Sequence, residues 1–266
     1  MTEVFSEKPS LKTVGEESSL RKPALPLNQI VCGDCLEVMK TLPDESVDLT
    51  IADPPYSSGA RQTNQMRVRD GMNRANKWQG QWFGTDNLSS YGFMFFLRGL
   101  ALSLFQKSKM GAHFYCFIDW RNYPLLFGSV ESAGWRVNNL LVWDKQIFGM
   151  GDNYRNQHEL IIFASKGKPH ECNRKDVSNI LRVKRITVEE HPTEKPIELI
   201  EKMVGMSSSV GDFVVDPFIG SGTTAVVCAR LRRNYFGIDI SPEYCEIAQK
   251  RLSNVPERLE VFSPNV

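Results

Sequence analysis

Phe213-Val-Val-Asp-Pro-Phe-Ile-Gly-Ser-Gly-Thr-Thr-Ala225 is the stretch from which the fold of this 266-residue chain can be read. Phe213 to Asp216 is a short apolar run that ends at a proline, so it predicts a buried strand. Gly220 and Gly222 then allow a tight turn and close approach of a ligand to the backbone. Ala225 to Leu231 predicts a helix, whose first amides face whatever the turn holds. The next apolar run, Tyr235 to Asp239, again ends in a carboxylate, about 20 residues on, where Asp239 can accept both ribose hydroxyls of an adenosine.

The charge around this turn narrows the ligand. Gly220 to Ala225 satisfies the G-x-G-x-x-A dinucleotide pattern, yet Asp216 stands just before it and would repel a pyrophosphate. No lysine follows Gly222, so the loop is not a P-loop. S-adenosylmethionine carries an ammonium and a sulfonium and no phosphate, and an adjacent carboxylate favours it.

Further strands are predicted at Gln29 to Cys32, Val47 to Ala52, His113 to Ile118, Val137 to Trp143 and Glu159 to Ala164. With the two above they make seven. Helical segments alternate with them: Ile197, Ile200, Met203 and Val204 share one face after Pro196, and Ser241 caps a helix with Pro242 and Glu243 in its first turn. The expected fold is α/β, a Rossmann-like, mostly parallel, doubly wound sheet with helices on both faces.

Residues 1–27 are rich in Ser, Glu, Lys and Pro and predict a disordered tail, leaving 28–266 as a single domain. Two basic stretches interrupt the alternation and are candidate DNA-contacting insertions. One spans about 57–90 and carries Arg61, Arg67, Arg69, Arg74 and Lys77, and the other spans about 166–190. The hydrophobic fraction of 41% and charged fraction of 24% are those of a globular protein, and a net charge of +1 leaves any basic face to local clustering. No apolar run approaches the roughly 20 residues of a membrane span and no signal-peptide core is evident, so a cytoplasmic location is expected. Six scattered cysteines imply reduced thiols rather than a disulfide framework. Cys32-Gly-Asp-Cys35 lacks a second ligand pair, and His113, His158, His170 and His191 show no ligand spacing, so no metal is expected. Trp120 and Trp143 are read as packing residues.

At the carboxyl end of the Val47 to Ala52 run stands Asp53-Pro54-Pro55-Tyr56. Open α/β sheets bind ligands at the carboxyl ends of their strands, so this turn should border the same crevice as the glycine turn. Two prolines stiffen it and leave carbonyls without competing amides. That suits an exocyclic base amine, a poor nucleophile whose N–H groups need two acceptors, here Asp53 and the Pro54 carbonyl. The Asp53 carboxylate would stabilise the positive charge that develops on nitrogen, and Tyr56 could stack on the base.

Taken together, these motifs resemble those of the prokaryotic and phage DNA amino-methyltransferases, in particular the permuted β class, in which Asp-Pro-Pro-Tyr precedes the glycine motif. Here His191-Pro-Thr-Glu-Lys-Pro196 lies between them, as in that family, and the resemblance runs from about Gln29 to Leu252. It implies an S-adenosylmethionine-dependent enzyme acting on double-stranded DNA after base flipping, with S-adenosylhomocysteine as the other product and no metal. By the family pattern Asp53, Pro54, Pro55 and Tyr56 form the target-base site, with Asp53 also near the cofactor. Asp216, Phe218, Gly220, Ser221, Gly222, Thr223 and Asp239 match cofactor-binding positions. Asp34 and Cys35 match its contact to the cofactor adenine, which replaces the C-x-x-C reading. Thr193 and Lys195 match the segment near the methionine end. The chain departs from many members in having no large recognition domain between Phe163 and His191, and a homodimer could supply the missing DNA surface. Asp at position 53 favours adenine N6, while cytosine N4, an RNA or protein amide substrate, and a non-catalytic DNA-binding module remain as alternatives.

Overall fold

The computed structural model describes residues 24–56, 89–149, 153–186 and 194–255. One sheet of eight strands organises them. The strands are β1 (Gln29–Cys32), β2 (Val47–Ala52), β3 (Ser108–Ile118), β4 (Arg136–Asp144), β5 (His158–Ser165), β6 (Ile180–Arg182), β7 (Phe213–Asp216) and β8 (Asn234–Asp239), in the spatial order β1-β8-β7-β2-β3-β5-β4-β6. Every neighbouring pair is parallel except β3·β5 and β5·β4, so β5 alone runs against the other seven.

Six described helices cover the sheet: α1 (Cys35–Met39), α2 (Ser90–Lys107), α3 (Tyr123–Ser132), α4 (Ile197–Ser207), α5 (Thr223–Arg230) and α6 (Pro242–Ser253). The central strands are buried on both faces, so they read as continuous apolar runs rather than alternating ones. Phe114, Cys116 and Ile118 of β3 join Leu97, Leu100 and Leu104 of α2 in one core layer. Tyr115 and Phe117 face the other way, toward Leu199, Ile200 and Met203 of α4 and Val227 of α5.

Local sequence accounts for several boundaries. Asp34 caps α1 by accepting from the amides of Leu36 and Glu37, at 2.9 and 3.1 Å. Ser241 caps α6 with Pro242 in its first turn, as expected. Pro196 takes the cap position of α4 rather than its first turn, because its ψ of 136° is still extended. The predicted face of that helix is turned inward, with Ile200, Met203 and Val204 buried.

Two expectations are corrected. The sheet has an eighth strand, β6, inside the basic stretch expected to be an insertion, where Ile180, Leu181 and Arg182 pair with Val142, Trp143 and Asp144. Three residues are too short for a period-2 signal, and the edge position next to β4 holds them in place. The same stretch begins with a structural lysine: Lys166 is buried, donates to the Ser108 carbonyl at 2.9 Å and lies over the Phe105 ring. Trp120, read as a packing residue, is 54% exposed with Arg121 over its ring, whereas Trp143 is buried and donates to the Val183 carbonyl at 2.8 Å. Arg61, Arg67, Arg69, Arg74, Lys77, His191 and Thr193, and most of the expected tail, lie outside the described residues.

Candidate active site

The chain turns one way from β2 to β3 and the opposite way from β7 to β8, so the order reverses between β7 and β2. Such a reversal opens a crevice at the carboxyl ends of the two strands, because their following loops part in opposite directions. Asp53 ends the β2 side and Asp216 the β7 side, and a crevice of about 500 Å³ lies between them. That falls within the roughly 300–1,000 Å³ usual for small-molecule sites.

The glycine turn forms one wall. Asp216 is 6% exposed, and both its oxygens serve the turn: Oδ1 accepts from the Phe218 amide at 2.9 Å and Oδ2 from the Thr224 hydroxyl at 2.6 Å. Burial pushes its carboxyl up to about 7, those two bonds offset part of the rise, and nearby Asp53 and Asp239 add to it. Gly222 sits at φ 87°, and a Cβ there would come within 2.9 Å of Ala248 Cβ and Cα on α6. It is therefore a packing glycine, and it does not line the crevice, whereas Gly220, Ser221 and Thr223 do. Arg251 of α6 fixes the turn from behind, donating to the Ser221 carbonyl at 2.9 Å and hydroxyl at 2.7 Å and pairing with Glu194 at 2.9 Å.

Asp239 faces this wall from the end of β8, accepting from the amides of Gly220 at 3.0 Å and Ser241 at 2.8 Å. It couples β8 to the turn and also lines the crevice. Asp34 and Cys35 border the same end, since Gly33 donates to the Asp239 carbonyl at 2.8 Å and brings the start of α1 alongside. Cys35 is buried, and its thiol is pushed up to about 12, first by burial and then by Asp34, which makes it a poor nucleophile or metal ligand. Phe218 closes the side, edge-on to Phe96 of α2 at 6.1 Å.

The other end is a charged network around Asp53. Tyr56 donates its hydroxyl to Asp53 Oδ1 at 2.8 Å, and Lys195 donates to Asp53 Oδ2. Glu159, the second residue of β5, has Oε2 at 3.4 Å from both Lys195 Nζ and the Tyr56 hydroxyl, while its Oε1 pairs with Lys145 at 2.6 Å. Lys145 also stands over the Trp143 ring at 5.4 Å, and Lys195 over Phe117 at 4.9 Å. Burial alone would raise the Glu159 carboxyl, but Lys195 and Lys145 outweigh it and hold it below its ordinary value. Lys195 is pulled down by burial and raised more by Asp53 and Glu159. Tyr56 is held well above the ordinary phenol value by burial and by the same two carboxylates.

The structure thus gathers Asp34, Cys35, the Asp53–Tyr56 turn, Lys195, Asp216 and Asp239 around one crevice. The sequence reading missed Glu159, Lys145, Arg251 and Glu194. A carboxylate at the start of the otherwise apolar run Leu160–Ala164 was a signal for Glu159, because such a charge is expensive to bury without a partner. Glu194 lay inside the quoted His191–Pro196 motif without being given a role, and nothing local marked Lys145 or Arg251. Among the described residues no group of three or more His, Cys, Asp or Glu could hold a metal ion, and no helix is long and apolar enough to cross a membrane.

The geometry agrees with similarities to known proteins. A family model for DNA methylases covering N6 and N4 enzymes matches residues 47–250. The type II methyltransferase M.HinfI of Haemophilus influenzae is 30% identical over 265 residues, covering 89% of this chain and 72% of that protein. The solved M1.HpyAVI–SAM complex superimposes with a TM-score of 0.61 at 26% identity, over 84% of this chain and 99% of that one. The cytosine-N4-specific PvuII DNA methyltransferase shares the fold, with a TM-score of 0.65 at 18% identity over 86% of this chain and 88% of its own.

Proposed function

Because the chain belongs to the DNA methylase family, we propose that it transfers a methyl group from S-adenosylmethionine to the exocyclic N6 amine of adenine in double-stranded DNA. The observation that carries this reading is that Asp53 and Tyr56 share one crevice with the Asp216–Gly220 turn and Asp239. S-adenosylmethionine supplies an electrophilic methyl group. In this reading Asp239 takes the ribose, Asp34 and Cys35 border the adenine, and Asp216 and Lys195, which line the same crevice, serve the amino acid end.

In this reading Asp53 and the Pro54 carbonyl accept the two N–H bonds of the target amine and leave its nitrogen lone pair aimed at the methyl group. Positive charge grows on nitrogen as the new bond forms, and the Asp53 carboxylate stabilises that charge more than it stabilises the neutral amine. An amine paired inside a duplex cannot reach this position, so the base must leave the stack, at a cost of a few kcal/mol that Tyr56 stacking helps to offset. The choice of adenine rests on Asp at position 53, since both base amines present the same donors.

Digestion of DNA exposed to the protein and S-adenosylmethionine, with mass spectrometry of the nucleosides, tests this directly. N6-methyladenine is expected. N4-methylcytosine in its place would overturn the base choice and leave the chemistry standing, whereas full turnover by Asp53→Ala would sink the chemistry itself.

A further inference from the structure

Both oxygens of Asp53 are engaged by the protein's own donors, Oδ1 by the Tyr56 hydroxyl and Oδ2 by the Lys195 ammonium. The proposed chemistry needs that carboxylate to accept from an amine and to face the charge growing on it. An ammonium seated on Asp53 cancels most of the carboxylate's field at the amine nitrogen and adds a positive charge beside an incoming methyl cation equivalent. Lys195 therefore has to stand off Asp53 when the base is bound.

Among the described residues, one other carboxylate contacts Lys195. We propose that Glu159 is the alternate seat of Lys195: it draws the ammonium off Asp53 as the target base enters and so acts as a positioning residue for the methyl transfer. This inference rests on the methyltransferase reading above. Glu159 Oε2 lies 3.4 Å from Lys195 Nζ, so it already shares the ammonium with Asp53 and can keep hold of it when the base amine competes for Asp53. The same oxygen is 3.4 Å from the Tyr56 hydroxyl and can take that donor as well, freeing Oδ1. Lys145, 2.6 Å from the other Glu159 oxygen, keeps the carboxylate ionised while it waits.

The position of Lys145 is fixed by its own surroundings. It follows β4 and lies over the Trp143 ring, and the Trp143 indole is tied to the Val183 carbonyl. Glu159 is the second residue of the adjacent β5, where Trp143 and Glu159 are register partners. The β4–β5 pair thus delivers one ammonium and one carboxylate to the rim, where Asp53 from β2 and Lys195 ahead of α4 already form an ion pair. Among the described residues, the charged and titratable groups facing Lys195 are Asp53, Tyr56, Glu159 and, through Glu159, Lys145, with Cys116 of β3 near Asp53 and Tyr56.

Glu159→Gln keeps the shape and removes the charge that attracts Lys195. At pH 7 kcat for DNA methylation should fall by about tenfold or more, with KM for S-adenosylmethionine changed by less than about threefold. Loss of one counter-charge also lowers the Lys195 pKa, so the defect should shrink as pH rises and neutral Lys195 releases Asp53. The wild type, which keeps Lys195 charged, should show no such recovery. Glu159→Asp retains the charge and should restore most of the activity near pH 7. Should Glu159→Gln not fold, Lys145→Met with Glu159→Gln removes the pair together, leaves no uncompensated buried charge, and should give the same loss and the same basic recovery. Wild-type kcat and pH profile in these variants, or a loss of equal factor at every pH, would overturn the assignment. Absence of methylation by the wild type would instead overturn the methyltransferase reading.

Discussion

Asp216 is the group whose ionisation a cationic ligand in the crevice should change. Its carboxyl titrates near 7 in place of 3.8, with burial the main cause. A folded-state value above the unfolded one means that the stability from this group is fully present below about pH 4 and is lost as pH rises through about 7. At about 1.4 kcal/mol per pH unit, ionised Asp216 lowers the stability of the ligand-free fold by roughly 4 kcal/mol at pH 8. Asp216→Asn removes the charge, so the variant should melt above wild type at pH 8 and converge with it only as pH falls to about 4. The gain should fall short of 4 kcal/mol, because an amide offers one oxygen where the carboxylate serves both the Phe218 amide and the Thr224 hydroxyl. Ligand binding should go the other way. S-adenosylmethionine brings positive charge to the ionised form, so binding below pH 7 should expel a proton and strengthen by up to about tenfold per pH unit, levelling off above 7. Calorimetry in buffers of differing ionisation enthalpy reads that proton. The Asp216→Asn protein should bind more weakly, with little pH dependence. Affinity that stays flat from pH 5.5 to 8.5 with no proton release in the wild type would refute the reasoning.

Arg251→Met removes the donors that hold Ser221 and leaves Glu194 unpaired, and thermal unfolding should report a loss of about 1.5–3 kcal/mol together with weaker S-adenosylmethionine binding. Asp239→Ala should cost about 1.5–3 kcal/mol of cofactor affinity, and unchanged affinity in a folded variant would count against the ribose assignment. Replacing Arg61, Arg67, Arg69 and Arg74 together should weaken DNA binding and flatten its salt dependence while leaving S-adenosylmethionine affinity nearly unchanged. If both DNA quantities survive, the footprint lies elsewhere. Light scattering should give a homodimer rather than the 30.2 kDa monomer, with or without DNA.

The strand, turn and cap signals were legible because they are local. Phe213–Val215 needs only its own apolar run, Gly220 and Gly222 only their own backbone, and Ser241-Pro242 only the helix that follows. The pairing of the two turns across one crevice was legible too, because parallel strands in an open sheet carry their ligands at one end. Gly222, by contrast, was assigned to the cofactor from its place in a motif, and only the approach of Ala248 shows that it serves packing. Neither the reversed strand β5 nor the three-residue strand β6 carries a direction or a partner in its own residues. The charge state of Asp216 escaped the sequence as well: a carboxylate was assumed, whereas burial moves its titration close to neutrality. Most of all, Glu159 stands 103 residues from Tyr56, and Lys195 stands 142 from Asp53, yet all four join one network. An ion pair falls off with distance in space and takes no account of distance along the chain, so a charge network assembled from β2, β4, β5 and the segment before α4 exists only once the sheet has brought their ends together.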